Sequence, residues 1–249
     1  MNDPAPASTT FADLGLRDEI VEALSAKGIE SPFPVQAHTI PDALAVQDVC
    51  GKAKTGSGKT LAFGLPVLQR MDPAAPNRPT GLVLVPTREL ANQVCDELAP
   101  AAEAVDRIAL AIYGGAPIEK QIDRLDKGVD LVVATPGRMI DLIERKAVSV
   151  ADVQHVVVDE ADRMADMGFL PQVEWILRNV EGDHQTLLFS ATLDGVVNTL
   201  IRRYQHDPVM HEVAGKEVTV AEMTHRFIAV HKLSLIHISE PTRPSKSSR

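Results

Sequence analysis

The sequence predicts a single α/β domain on a mostly parallel, doubly wound sheet with helices on both faces. Three observations carry that expectation. Short Val/Leu/Ile runs alternate with stretches of helical spacing, the pattern of strands buried on both sides. One glycine-rich segment, Ala53-Lys54-Thr55-Gly56-Ser57-Gly58-Lys59-Thr60, lies between such a run and a helix. Finally, the distinctive polar or glycine-bearing sequences each stand just after a strand. In an open parallel sheet those ends share one rim, where ligands bind. With 249 residues, 45% of them hydrophobic, the chain is long enough for one large domain with a sizeable core.

Residues 1–10 are rich in Pro, Ala, Ser and Thr and lack the basic start and apolar stretch of a signal peptide, so a loose tail is expected. From residue 11 to 28 an aromatic entry leads into an amphipathic helix, with Leu16, Ile20, Ala23, Leu24 and Lys27 in register and Gly28 as its C-cap. Prolines on both sides of Phe33 force an extended turn, and Pro34 can then open a helix through Leu44. The run at 48–50 enters the glycine-rich segment, and helical spacing follows over 61–68. Residues 72–79 form a Pro-rich surface loop. The run at 81–85 is followed by Pro86-Thr87-Arg88-Glu89-Leu90-Ala91 and a helix to about Ala102. The run at 108–113 ends in Gly114-Gly115, and the run at 130–134 in Thr135-Pro136-Gly137-Arg138 and a helix to Arg145. The last two runs, 155–158 and 186–189, end in Asp159-Glu160-Ala161-Asp162 and Ser190-Ala191-Thr192.

Composition excludes some functions. No apolar run approaches the ~20 residues that cross a membrane as a helix. The two cysteines, Cys50 and Cys95, lack metal spacing and read as reduced core thiols of a cytoplasmic protein, and the eight histidines show no paired ligand spacing. A net charge of −9 argues against a generally basic nucleic-acid binder, so any grip on RNA or DNA falls to a local patch.

The glycine-rich segment has a specific chemistry. Its glycines let several N–H groups converge on one centre, at the positive end of the helix that begins there. A triphosphate is the natural guest, with Lys59 reaching the β- and γ-phosphates and Thr60 holding Mg²⁺. The strict pattern has Gly where this chain has Ala53, a small residue that still permits the turn. Asp159-Glu160 alone could be a solvated loop. Beside Lys59-Thr60 in the same sheet it reads as the other half of a nucleotide site: one carboxylate supports Mg²⁺ and the next orients or deprotonates the attacking water.

These motifs resemble, in type and order, those of the DEAD-box ATP-dependent RNA helicases. The resemblance covers residues 11–232: Phe11 with Gly28-Ile29 and Pro34-Val35-Gln36, then the segments at 53–60, 86–91, 114–115, 135–138, 159–162 and 190–192. Phe33 stands where that family more often has Thr. The resemblance implies a RecA-like phosphate-loop domain that binds ATP through Phe11, Gln36, Thr55, Gly56, Ser57, Gly58, Lys59 and Thr60. Phe11 would stack on adenine and Gln36 would bond its edge. Mg²⁺ would sit on Thr60 and Asp159, with Lys59, Asp159 and Glu160 catalytic and Asp162, Ser190 and Thr192 coupling hydrolysis to strand separation. Pro86, Thr87, Arg88, Gly114, Gly115, Thr135, Gly137 and Arg138 would hold one RNA strand by its sugar–phosphate backbone, irrespective of sequence. The family also has a second RecA-like domain carrying arginine fingers. Nothing after Thr192 offers its motifs, so the chain reads as an N-terminal half with little activity alone. Two other readings stay open: a non-catalytic, nucleotide-dependent RNA-binding module, and an unrelated phosphate-loop kinase or transporter ATPase, which would explain none of the rim motifs. Residues 233–249 turn Ser-, Pro- and base-rich without periodicity, the expectation for a flexible tail. They resemble translated adapter or vector sequence, with a native linker as the alternative.

Overall fold

In the computed structural model, which describes residues 9–213, the apolar runs become strands of one seven-stranded sheet. Most of the expected N-terminal tail, the segment 214–232 and the tail at 233–249 lie outside the described residues. The strands are β1 (Val49–Lys52), β2 (Gly81–Leu84), β3 (Ala109–Ile112), β4 (Leu131–Ala134), β5 (His155–Asp159), β6 (Gln185–Ser190) and β7 (Val209–Glu212). Their lateral order is β3-β4-β2-β5-β6-β1-β7, and every pairing is parallel.

Side chains alternate across a strand, and here both faces are apolar. Val83, Val157, Leu187 and Phe189 join one core cluster with the helices α1 (Asp18–Ser25), α2 (Pro34–Leu44), α3 (Lys59–Arg70) and α4 (Arg88–Ala104). Leu82, Leu84, Val156, Val158 and Leu188 join the other with α5 (Ile118–Leu125), α6 (Pro136–Glu144), α7 (Ala161–Asp166), α8 (Leu170–Asn179) and α9 (Gly195–Tyr204). This is the doubly wound arrangement. The central strands are buried throughout, which explains why they read as continuous apolar runs rather than alternating ones.

Strand β7 has no counterpart among the apolar runs. Val-Met-His-Glu is not an apolar run, and only alternate residues are partly buried, as suits an edge strand. Polar anchors around β1 hold this end of the sheet together. Asp48 accepts hydrogen bonds from the backbone N–H groups of Thr186 (2.7 Å) and His206 (2.6 Å). The amide of Gln205 donates to the carbonyls of Val49 and Thr186.

Candidate functional site

The phosphate loop follows β1, and Gly58 caps α3 in a left-handed conformation, φ 87°. A side chain there would also collide with its neighbours: a Cβ on Gly58 would lie 2.5 Å from Phe33 Cδ2 and 2.6 Å from Gln36 Nε2. The start of α2 is therefore pressed onto the loop. Gln36 fastens the two together, donating from Nε2 to the Gly58 carbonyl (2.9 Å) and accepting from the Phe33 N–H at Oε1 (2.8 Å).

The loop forms one wall of a cleft of about 550 Å³, shared with Thr87, Glu89, Gln93 and Glu97 of the β2–α4 segment and with Asp159, Glu160 and Arg163 at and just after the end of β5. Lys59 Nζ lies 3.3 Å from Asp159 Oδ1, both side chains almost wholly buried. Burial pushes the Asp159 carboxyl above its ordinary range, against the opposing pull of the Lys59 ammonium. Glu160 has left-handed backbone angles, φ 51° and ψ 47°, uncommon for a side chain of its kind. Its two carboxylate oxygens accept from Thr55 Oγ1 (3.2 Å) and Arg163 Nη1 (3.1 Å). The residues fit a Mg²⁺-bound triphosphate. Ser57 Oγ is buried without a partner among the described residues, as befits a hydroxyl set for a ligand oxygen. Thr60 and Asp159 are hard oxygen donors, the kind Mg²⁺ takes one or two of while phosphates and waters complete its shell.

Next to this site the ends of β5 and β6 are tied. The Asp162 N–H donates to Ser190 Oγ, and the Ala191 N–H donates to Asp162 Oδ2, each at 3.2 Å. Thr192 is exposed just beyond this pair of bonds. On the other half of the rim, β3, β4 and β2 end side by side. There Gly114, Gly115, Gly137 and Arg88 are exposed, Thr87 and Thr135 are partly buried, and α4, α5 and α6 begin. The Thr87 hydroxyl caps α4 by accepting from the Leu90 N–H.

A family model described as DEAD/DEAH box helicase matches residues 33–200. The chain belongs to the DEAD/DEAH box helicase family. It is 42% identical over 223 residues to the DEAD-box ATP-dependent RNA helicase CshA of Bacillus licheniformis, a match covering 90% of this chain and 46% of that protein. The namesake from Geobacillus kaustophilus is 43% identical over 225 residues, covering 90% and 48%. The chain thus spans just under half the length of these relatives. Among solved structures, a DEAD box protein from Methanococcus jannaschii matches with a TM-score of 0.77 and 36% identity, over 82% of this chain and 56% of that one. A hypothetical ATP-dependent RNA helicase from Sulfolobus tokodaii matches with a TM-score of 0.74 and 33% identity, over 80% and 57%.

Within this DEAD/DEAH-box domain, four residues expected at the site are held away from open surface. Phe11, expected to stack on adenine, is 1% exposed and packs into the core cluster with α1 to α4, so neither ring face is open. Gln36, expected to bond the adenine edge, is also 1% exposed, with its amide already engaged by Phe33 and Gly58. The Arg138 guanidinium, expected on RNA, turns inward: both terminal nitrogens donate to the Ala116 carbonyl at 3.2 Å, and Nη1 also donates to Gln121 Oε1. Pro86 is buried and offers the rim no side-chain surface. Arg88 is exposed and paired with its neighbour Glu89 at 2.6 Å. The cleft also holds residues that lie outside the expected motif roles. Arg163 stands three positions after Glu160, the spacing of helix-surface partners, and Glu89, Gln93 and Glu97 recur every fourth residue on one helix face. Both signals were present in the sequence.

Proposed function

We propose that this domain is the nucleotide-binding half of an ATP-dependent RNA helicase, hydrolysing ATP to pull apart short RNA duplexes. The observation that carries the reading is the strand order. The ends of β5, β6 and β1 bring together the triphosphate-binding and acidic residues, and the ends of β2, β4 and β3 bring together three helix starts and exposed glycines. One rim therefore offers a nucleotide seat and a backbone seat side by side.

Lys59 and the loop N–H groups would hold the phosphates, with Thr60 and Asp159 holding Mg²⁺. Bound Mg²⁺ supplies charge neutralisation on the phosphate oxygens. Glu160 would take the proton of the attacking water, once its carboxylate is released from Thr55 and Arg163. Asp162 and Ser190 would pass a shift of the Asp159-Glu160 turn to the end of β6 and so to Thr192. RNA would be held at the starts of α4, α5 and α6, where N–H groups and helix dipoles favour phosphate. This resolves the charge problem: a chain of net charge −9 can hold a polyanion through backbone donors, with Arg88 and the glycines at the contact. A second RecA-like domain is the implied partner, closing over ATP and RNA. A cytoplasmic location is part of this reading. Burial pushes both free thiols, Cys50 and Cys95, up to about 12, which suits reduced core residues. Among the described residues no helix is long and apolar enough to cross a membrane.

The test joins this domain to a second RecA-like domain of the family on a native linker. RNA-stimulated ATP turnover is expected, Lys59→Ala should abolish ATP binding, and Glu160→Gln should keep binding and lose hydrolysis. A protein that binds ATP and RNA without hydrolysis would instead be a nucleotide-dependent RNA-binding module.

A further inference from the structure

We infer that Phe33, rather than Phe11, is the aromatic platform for the nucleotide base in this chain. The inference rests on the reading of the cleft as a nucleotide site and names the residue that would meet the base. Phe33 is 57% exposed, and it lines the same cleft as Lys59, Thr60 and Asp159. Its ring lies against Gly58, as the 2.5 Å separation between Cδ2 and a Cβ built on that glycine shows. A ring so placed stands beside the phosphate loop, on its α2 side.

The backbone beneath the ring is fixed although the ring is open. The Phe33 N–H donates to Gln36 Oε1 at 2.8 Å, and its carbonyl accepts from the Ala37 N–H at 2.9 Å. Pro32 and Pro34 restrict the chain on either side. An exposed aromatic ring on an immobilised backbone stacks a planar base at small entropic cost. Phe11 cannot serve, being sealed in the core. Stacking tolerates any base because every base has a π-face. Phe33 therefore contributes affinity for the nucleoside, and discrimination between adenine and guanine must come from other groups.

The experiment titrates the chain with ATP, GTP and inorganic tripolyphosphate in the presence of Mg²⁺. Phe33→Ala should weaken ATP and GTP alike, about tenfold on the usual strength of base–aromatic stacking. It should leave tripolyphosphate within about twofold. Phe33→Trp should retain ATP affinity and give an indole fluorescence quenched by ATP but not by tripolyphosphate, with Trp175, on α8 and outside the cleft lining, as the constant background. Unchanged ATP affinity in Phe33→Ala overturns the inference. So does an equal loss of ATP and tripolyphosphate, since the ring would then only shape the loop. If the unmodified chain binds neither ATP nor tripolyphosphate, the nucleotide reading of the cleft itself fails, and Phe33 with it.

Discussion

At Gly58 two constraints coincide: a left-handed backbone, and the packing of Phe33 and Gln36 onto the space a side chain would fill. The first alone costs an L-residue about 1–2 kcal/mol, and the second displaces the anchor of the loop. Gly58→Ala should therefore lower the unfolding free energy measured by urea titration by at least that amount and weaken tripolyphosphate binding more than tenfold; a normal affinity would show that the anchored loop is not the binding conformation. A second residue makes stability depend on pH. His155 is buried, with Nδ1 2.9 Å from Gln185 Oε1. Burial holds the imidazole below its ordinary value of 6.5, assisted by Arg70 and opposed by the Gln185 bond and by Asp72. Below about pH 6.5 the unfolded chain takes up a proton that the native state refuses. This contribution should thus be constant above pH 6.5 and fall progressively as the pH is lowered towards the folded value. Melting temperatures from pH 7.5 to 5.0 should show that loss, and His155→Asn, which keeps a donor for Gln185, should reduce it.

Individual elements show how polar residues act indirectly. Arg138, on the first turn of α6, gives its guanidinium to the Ala116 carbonyl and Gln121, and so braces the segment that follows Gly114-Gly115 at the end of β3. Gly115 has φ 84°, a turn that depends on glycine. Arg138 is thus a positioning residue that joins two of the proposed RNA-holding segments. Lysine cannot reproduce the forked contact. Arg138→Lys should weaken RNA binding of the two-domain protein about three- to tenfold, leave ATP affinity unchanged and keep the same dependence on salt. A reduced salt dependence, the sign of a lost phosphate contact, would place Arg138 on the RNA after all.

For the molecule as a whole, the central question is how much catalysis one domain can supply. Phosphoryl transfer spreads charge over the γ-phosphate oxygens, and positioned cations stabilise it. In the cleft the cations are Lys59, already facing Asp159, and Arg163, already bound to Glu160. On the proposed reading, the 249-residue chain should turn over ATP barely above background and show no RNA stimulation. Joining the second domain should raise turnover by ~10³ or more, the usual effect of an arginine finger. A coupled phosphate-release assay checks both states. Brisk RNA-stimulated turnover by the chain alone would mean that an arginine within it, such as Arg163 or Arg202, serves that role.

Alternating Val-rich runs and helical spacing were enough to define a parallel α/β sheet, since strand and helix periodicity are local properties of the chain. Local turn chemistry likewise marked Gly56, Gly58, Lys59 and Thr60 as a phosphate loop. Because parallel strands end on one edge, Lys59, Arg88, Gly115, Arg138, Asp159 and Ser190 could be assigned to a common rim from sequence. The tertiary structure decided how that rim is divided. The order β3-β4-β2-β5-β6-β1-β7 is not the order of the chain, and lateral neighbours are chosen by core packing between segments far apart in sequence. It also decided which of two phenylalanines is sealed and which is open, and it turned Gln36 and Arg138 inward onto the backbone. A residue's type states what it can bond. Only the packed surroundings determine which partner reaches it first.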